Sequence, residues 1–157
     1  MEIFSNEEQQ MYRKLAVDLF NYVWELLDKA DRTKEENDTM VHAAHASRFL
    51  WGQVGTAVNL ARGEWQVSRV YSVLNRAEPS LYHARRCLEI CKGNDIGDFD
   101  LAYAYEAIAR AMAVSGKRSE SQHYIVSASD AGERIAEQED RDLFFSDLAT
   151  IPNFEAM

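Results

Sequence analysis

Apolar residues recur along this chain at helical spacing in seven successive stretches, and no stretch alternates in the way a half-buried strand would. The first stripe is Met11, Leu15, Leu19, Tyr22 and Leu26. It follows the capping box Ser5-Asn6-Glu7-Glu8 and predicts a helix to about Asp28. A second box, Thr33-Lys34-Glu35-Glu36, opens a helix over 34–51. Its Met40, Val41, Ala44, Phe49, Leu50 and Trp51 point nearly all round the wheel, the pattern of a central, buried helix. Gly52 and Gly55 break the chain there. A third helix is expected over 57–76, with Val67, Val70, Tyr71 and Leu74 as its core face and Gly63 tolerated inside. Pro79 suits the first position of a fourth helix reaching Lys92. Asp98 suits the N-cap of a fifth, which ends near Ser115-Gly116. A sixth follows over 119–137, and a short seventh over 140–150 carries Leu143, Phe144 and Leu148 before Ile151 and the terminating Pro152.

Helix pairs of this length call for a search for repeats. The tetratricopeptide pattern W-x2-L-G-x2-Y, then A-x3-F, is echoed in size class by Ser68, Tyr71, Ser72 and Asn75 followed by Ala84 and Leu88. It is echoed again by Tyr105, Ile108, Ala109 and Met112 followed by Ser121 and Ile125, a step of 37 residues. Ala46 and Leu50 occupy the corresponding places 38 residues earlier. Through HAAHASRFLW, LARGEWQVSRVYSVLNRAEPSLYHA and GDFDLAYAYEAIARA the chain resembles a bacterial family of tetratricopeptide-like proteins. The resemblance implies an all-α fold: one domain over 1–157, a right-handed superhelix of about three antiparallel hairpins plus a C-terminal capping helix. It carries over no catalytic residues. A globular six- or seven-helix bundle is the alternative architecture.

Composition narrows the function classes. The formal charge of −9 repels nucleic acid and anionic membrane, so neither is an expected partner. The charge is uneven: six Lys/Arg against three Asp/Glu over 62–92, but two against eight over 130–157. The N-terminus has no basic start or apolar run, and the most apolar stretch, 99–114, is broken by Asp100, Glu106 and Arg110. Cys87 and Cys91 lie one helical turn apart, poor geometry for a disulfide, which points to a reducing cytoplasm.

Arg62, Arg69 and Arg76 stand at i, i+7 and i+14, which on one helix puts all three on the face opposite Val67, Val70 and Leu74. In tetratricopeptide folds the first helix of each hairpin lines the concave groove. The resemblance therefore implies a groove lined by Gln66, Arg69, Val73 and Arg76, with Tyr103, Glu106 and Arg110 from the next hairpin, and Arg62 and Trp65 of the same stripe complete the partner-binding set. Guanidinium groups beside aromatic surface suit the carboxylates of an extended peptide. The expectation is thus a non-catalytic scaffold for an acidic protein or peptide segment, without cofactor. Against it stands a plain solvated face whose arginines pair with Glu64, Glu106 or the acidic C-terminal segment, which could itself fill the groove. Self-association through the exposed stripe is a further alternative.

Asp38, His42 and His45 share a helix face and form the alternative metal-binding set, although two histidines and a second-shell carboxylate do not complete a site. His83, Cys87 and Cys91 share a face of the fourth helix, but one straight helix rarely gives one zinc ion three ligands, so buried, inert thiols are expected. No nucleophile elbow, P-loop or dinucleotide fingerprint occurs, and Ser47 beside His45 and Arg48 has no triad geometry.

Overall fold

The computed structural model describes residues 3–155. Seven helices account for its regular structure, with no strand among the described residues: α1 Asn6–Leu27, α2 Lys34–Val54, α3 Ala57–Val73, α4 Ala77–Gly93, α5 Asp98–Val114, α6 Arg118–Gly132 and α7 Gln138–Leu148. The most extensive packing is α1 on α2, α3 on α4 and α5 on α6, an arrangement of helical hairpins. The odd-numbered helices also touch in sequence, α1 with α3, α3 with α5 and α5 with α7. No described helix is long and apolar enough to cross a membrane.

Both capping boxes form. Ser5 Oγ accepts from Glu8 N–H while the Glu8 carboxylate accepts from Ser5 N–H, and Thr33 and Glu36 repeat the exchange. Gly52 does not end α2. Its helical cost of about 1 kcal/mol is too small to stop a packed helix, which runs two residues further. Pro79 sits third in α4 rather than first, where its missing N–H is still one that no intrahelical carbonyl would use.

The C-termini reveal the true repeat. Asn75 (φ 60°) and Gly116 (φ 79°) both adopt the left-handed conformation. Behind them Arg76 N–H donates to Tyr71 O and Lys117 N–H to Met112 O, the long bond of a Schellman cap. These positions, and the boundaries of α3 and α5, recur after 41 residues rather than 37 (57 to 98, 73 to 114). So does a buried tie across each hairpin, Ser80 Oγ to Ser68 O and Ser121 Oγ to Ala109 O. A slip of four residues is about one helical turn, so side-chain sizes still match on nearly the same face and pattern matching alone cannot detect it.

Burial corrects two further expectations. The central helices are α3 and α5, not α2, whose Phe49 is 63% exposed. Alanines at 102, 104, 107, 109 and 111 let neighbours approach α5 from every side. On α1 the core stripe is Ala16, Val23 and Leu26, whereas Met11, Leu15 and Tyr22 lie largely in solvent. The helix carries a second apolar face, and that face meets the groove.

Candidate functional site

Between α1, α3, α5 and α7 lies a cleft of about 650 Å³, within the range of ligand pockets. Its walls are aromatic. Phe20 and Trp24 stand one turn apart on α1, and Phe99 and Tyr103 one turn apart on α5, with Trp65 of α3 between the pairs. The Trp24–Trp65 and Trp65–Tyr103 ring centroids are each 5.4 Å apart, and Phe99–Tyr103 are 4.6 Å apart. The ladder thus crosses three helices and ends on Phe144 of α7, 5.0 Å from Tyr103. Edge-to-face and tilted contacts of this kind hold rings in place at about 0.5–1.5 kcal/mol per pair beyond area burial.

The sequence-predicted arginines are present but engaged. Arg62 grips Asp100 with both arms, Nε to Oδ1 at 2.8 Å and a terminal nitrogen to Oδ2 at 3.2 Å. Arg69 reaches Glu106 Oε1 at 3.3 Å and lies 5.4 Å from the Trp65 ring centre. Arg110 donates to the same Glu106 oxygen at 2.7 Å, and to Asp147 O and Thr150 Oγ1 at the end of α7. Arg76 leaves the stripe altogether, because the left-handed turn at Asn75 lifts it out of α3 and onto the Tyr71 ring at 5.1 Å. Gln66 is buried and donates to Phe20 O at 2.9 Å, so it ties α3 to α1 instead of facing a ligand. Glu106 is wholly buried, while Val73 is 43% exposed but outside the cleft lining.

Tyr103 donates to Asp147 Oδ2 at 2.5 Å. Burial, then this carboxylate, pushes its phenol far above the usual range, so it stays a donor at any ordinary pH. The C-terminal acidic segment therefore closes one side of the groove, with Leu143, Asp140 and Asp147 on the cleft. The i, i+4 pairs Phe20/Trp24 and Phe99/Tyr103 were the available sequence signal for these walls. The carboxylates Asp98, Asp100, Asp140 and Asp147 had none, since they come together only by folding.

A second polar cluster joins α2, α3 and α4. His83 Nδ1 lies 2.6 Å from Glu64 Oε2, Arg48 Nε donates to Glu64 Oε1 at 3.1 Å, and His45 Nε2 lies 2.8 Å from the Tyr71 hydroxyl. Burial alone would raise the Glu64 carboxyl, but His83 and Arg48 outweigh it and hold it below its ordinary value. Burial, then the charge of His83, lowers His45. His42 and Asp38 are exposed, while His45 is turned to the Tyr71 hydroxyl, so the alternative metal set is not gathered around His45. Among the described residues no group of three or more His, Cys, Asp or Glu could hold a metal ion. Cys87 and Cys91 are free, buried thiols, while His83 of that expected trio faces Glu64.

No protein-family profile matches the chain, and no curated protein or solved structure matches it either.

Proposed function

We propose that this chain is a non-catalytic, tetratricopeptide-like scaffold that holds a segment of a partner protein in the groove formed by its odd-numbered helices. Three hairpins would wind as a right-handed superhelix, with α7 as the cap. The observation that carries the reading is the aromatic cleft shared by α1, α3, α5 and α7, since a concave, ring-lined wall contributed by successive hairpins is how helical repeats bind extended segments. Arg62, Arg69 and Arg110 already hold carboxylates of the chain itself, so they do not by themselves set the charge of the partner. The same proposal puts the chain in a reducing cytoplasm, which the free Cys87 and Cys91 support.

The test is selection from a random dodecapeptide display library on the full chain. Selected peptides should change the emission of Trp24 and Trp65, and should lose binding when Leu143, exposed on the cleft, is replaced by Lys. Peptides that bind the Leu143→Lys protein as well as the parent would overturn the groove, and so would a selection that yields no binder.

A further inference from the structure

We infer that the aromatic cleft recognises a cationic side chain, lysine or arginine, on a basic partner segment; this rests on the groove reading above and reverses the sign of partner that the arginine stripe alone implies. Among the described residues lining the cleft, one arginine, Arg62, faces four aspartates, Asp98, Asp100, Asp140 and Asp147, a net charge of −3. Only Asp100 is neutralised by a cation, through the two-armed contact with Arg62. Asp98 is satisfied by uncharged donors, the N–H groups of Phe99 and Ala136, and Asp147 by the neutral phenol of Tyr103. These bonds fix the carboxylates in place and leave their charge uncompensated. The carboxylate of Asp140, in the first turn of α7, has no hydrogen-bond or ion-pair partner among the described residues.

The walls agree with the rim. Trp24, Trp65, Phe99 and Tyr103 line the same cavity, and aromatic rings attract cations, tryptophan most strongly. The chain supplies its own precedent, because guanidinium groups already lie on this aromatic–carboxylate surface: Arg69 against Trp65 and Arg62 against Asp100. An acidic peptide would meet the opposite situation. It would have to enter a field of net negative charge and compete with Asp100 for the one cation on the cleft. A cleft of about 650 Å³ also holds more than an ammonium group, which leaves room for the apolar stem of Lys or Arg to lie on the rings.

Two substitutions separate the signs of charge. Arg62 is half exposed, so Arg62→Ala should fold; it frees Asp100 and makes the cleft more negative. Asp140→Asn removes a charge that has no partner among the described residues. If the cleft binds cations, peptides selected on the parent are rich in Lys or Arg. Arg62→Ala then binds them about threefold to tenfold more tightly, and Asp140→Asn more weakly by a similar factor, the scale of one charge a few ångströms away in a solvent-open site. Raising salt from about 50 to 200 mM weakens binding in all three proteins.

Selected peptides that are acidic, and that bind Arg62→Ala more weakly, would overturn the cationic reading while leaving the groove intact. Uncharged winners that ignore both substitutions would do the same. Winners of any charge that also bind Leu143→Lys undiminished would sink the groove itself. Free spermidine and arginine amide are the remaining arms. Competition by either only at concentrations far above the peptide supports a peptide-borne cation, whereas a free amine that binds as tightly as the best peptide would overturn the peptide occupant.

Discussion

Glu106 offers a sharp test of how the groove wall is held. Its carboxylate is fully buried, and one oxygen takes both Arg110 and Arg69, at 2.6 Å and 3.3 Å. Both guanidinium groups are themselves largely buried, at 10% and 14% side-chain exposure. Replacing Glu106 by Ala would leave two cations in a poorly solvated site without their counter-charge. Breaking a buried pair from one side costs about 3–5 kcal/mol, much of it for the orphaned partner. That ranges from about a fifth to the whole of a typical domain stability of about 5–15 kcal/mol. At about 2–4 °C per kcal/mol for a chain of this size, the melting temperature should fall by roughly 6–20 °C. The pair Arg62–Asp100 sets the contrast, because the Arg62 side chain is 52% exposed even though Asp100 is only 14% exposed, so Arg62→Ala should cost clearly less than Glu106→Ala. Glu106→Gln keeps the oxygen acceptor and loses only the charge, so it should fall between. Replacing Glu106 and Arg110 together by Leu and Met should recover only the part of the loss that comes from Arg110, because Arg69 still lacks its counter-charge. Urea denaturation followed by circular dichroism at constant m-value measures each case. A Glu106→Ala cost below about 1 kcal/mol, or equal costs for Glu106→Ala and Arg62→Ala, would refute the reasoning.

Two further outcomes follow from the packing and titration chemistry. The folded state lowers the His45 proton affinity from its ordinary 6.5, first by burial and then through His83, with Glu64 opposing and His42 adding to the effect. The unfolded chain therefore takes up the proton first. Stability should be level above pH 6.5 and decline as pH falls from there through the lower folded value, and His45→Gln should flatten that slope in melts at pH 7.5, 6.5 and 5.5; a parent curve already flat over this window would contradict it. Gly132 ends α6 where α7 docks, and a Cβ there would stand 2.5 Å from Phe144 Cε1 and 2.9 Å from Phe145 Cζ. Because Phe144 is fully buried, Gly132→Ala should destabilise by about 1–3 kcal/mol despite the better helix propensity of alanine. A neutral or stabilising result in the same urea assay would show that α7 yields instead.

How much of the site could be read in advance depends on the range of the forces involved. Arg62, Arg69 and Arg76, with Trp65 beside them, were visible as a helical spacing, whereas Tyr103 and Arg110 entered only through the tetratricopeptide resemblance. The engagement of the stripe's arginines was not visible, because Arg69 meets Glu106 across 37 residues and Arg62 meets Asp100 across 38. A stripe drawn on a helical wheel also assumes that the helix continues, and the left-handed turn at Asn75 removed Arg76 from it. The histidines show the same limit: His45 shares a face with His42 in the sequence, but in the fold its ring nitrogen goes to Tyr71, 26 residues away.

The sequence by itself determined what local chemistry controls. It determined seven helices, because apolar period and capping side chains act within a turn or two of the backbone they stabilise. It determined the buried thiols, and the spread of aromatic residues at one-turn spacing on the first and fifth helices. Only tertiary structure decided which helices are central, where the repeat restarts, and what sign of charge the groove presents. Each of these depends on which faces meet. A helix carrying two apolar faces, such as α1, or an arginine with several carboxylates within possible reach, leaves that choice to the packing of the whole chain.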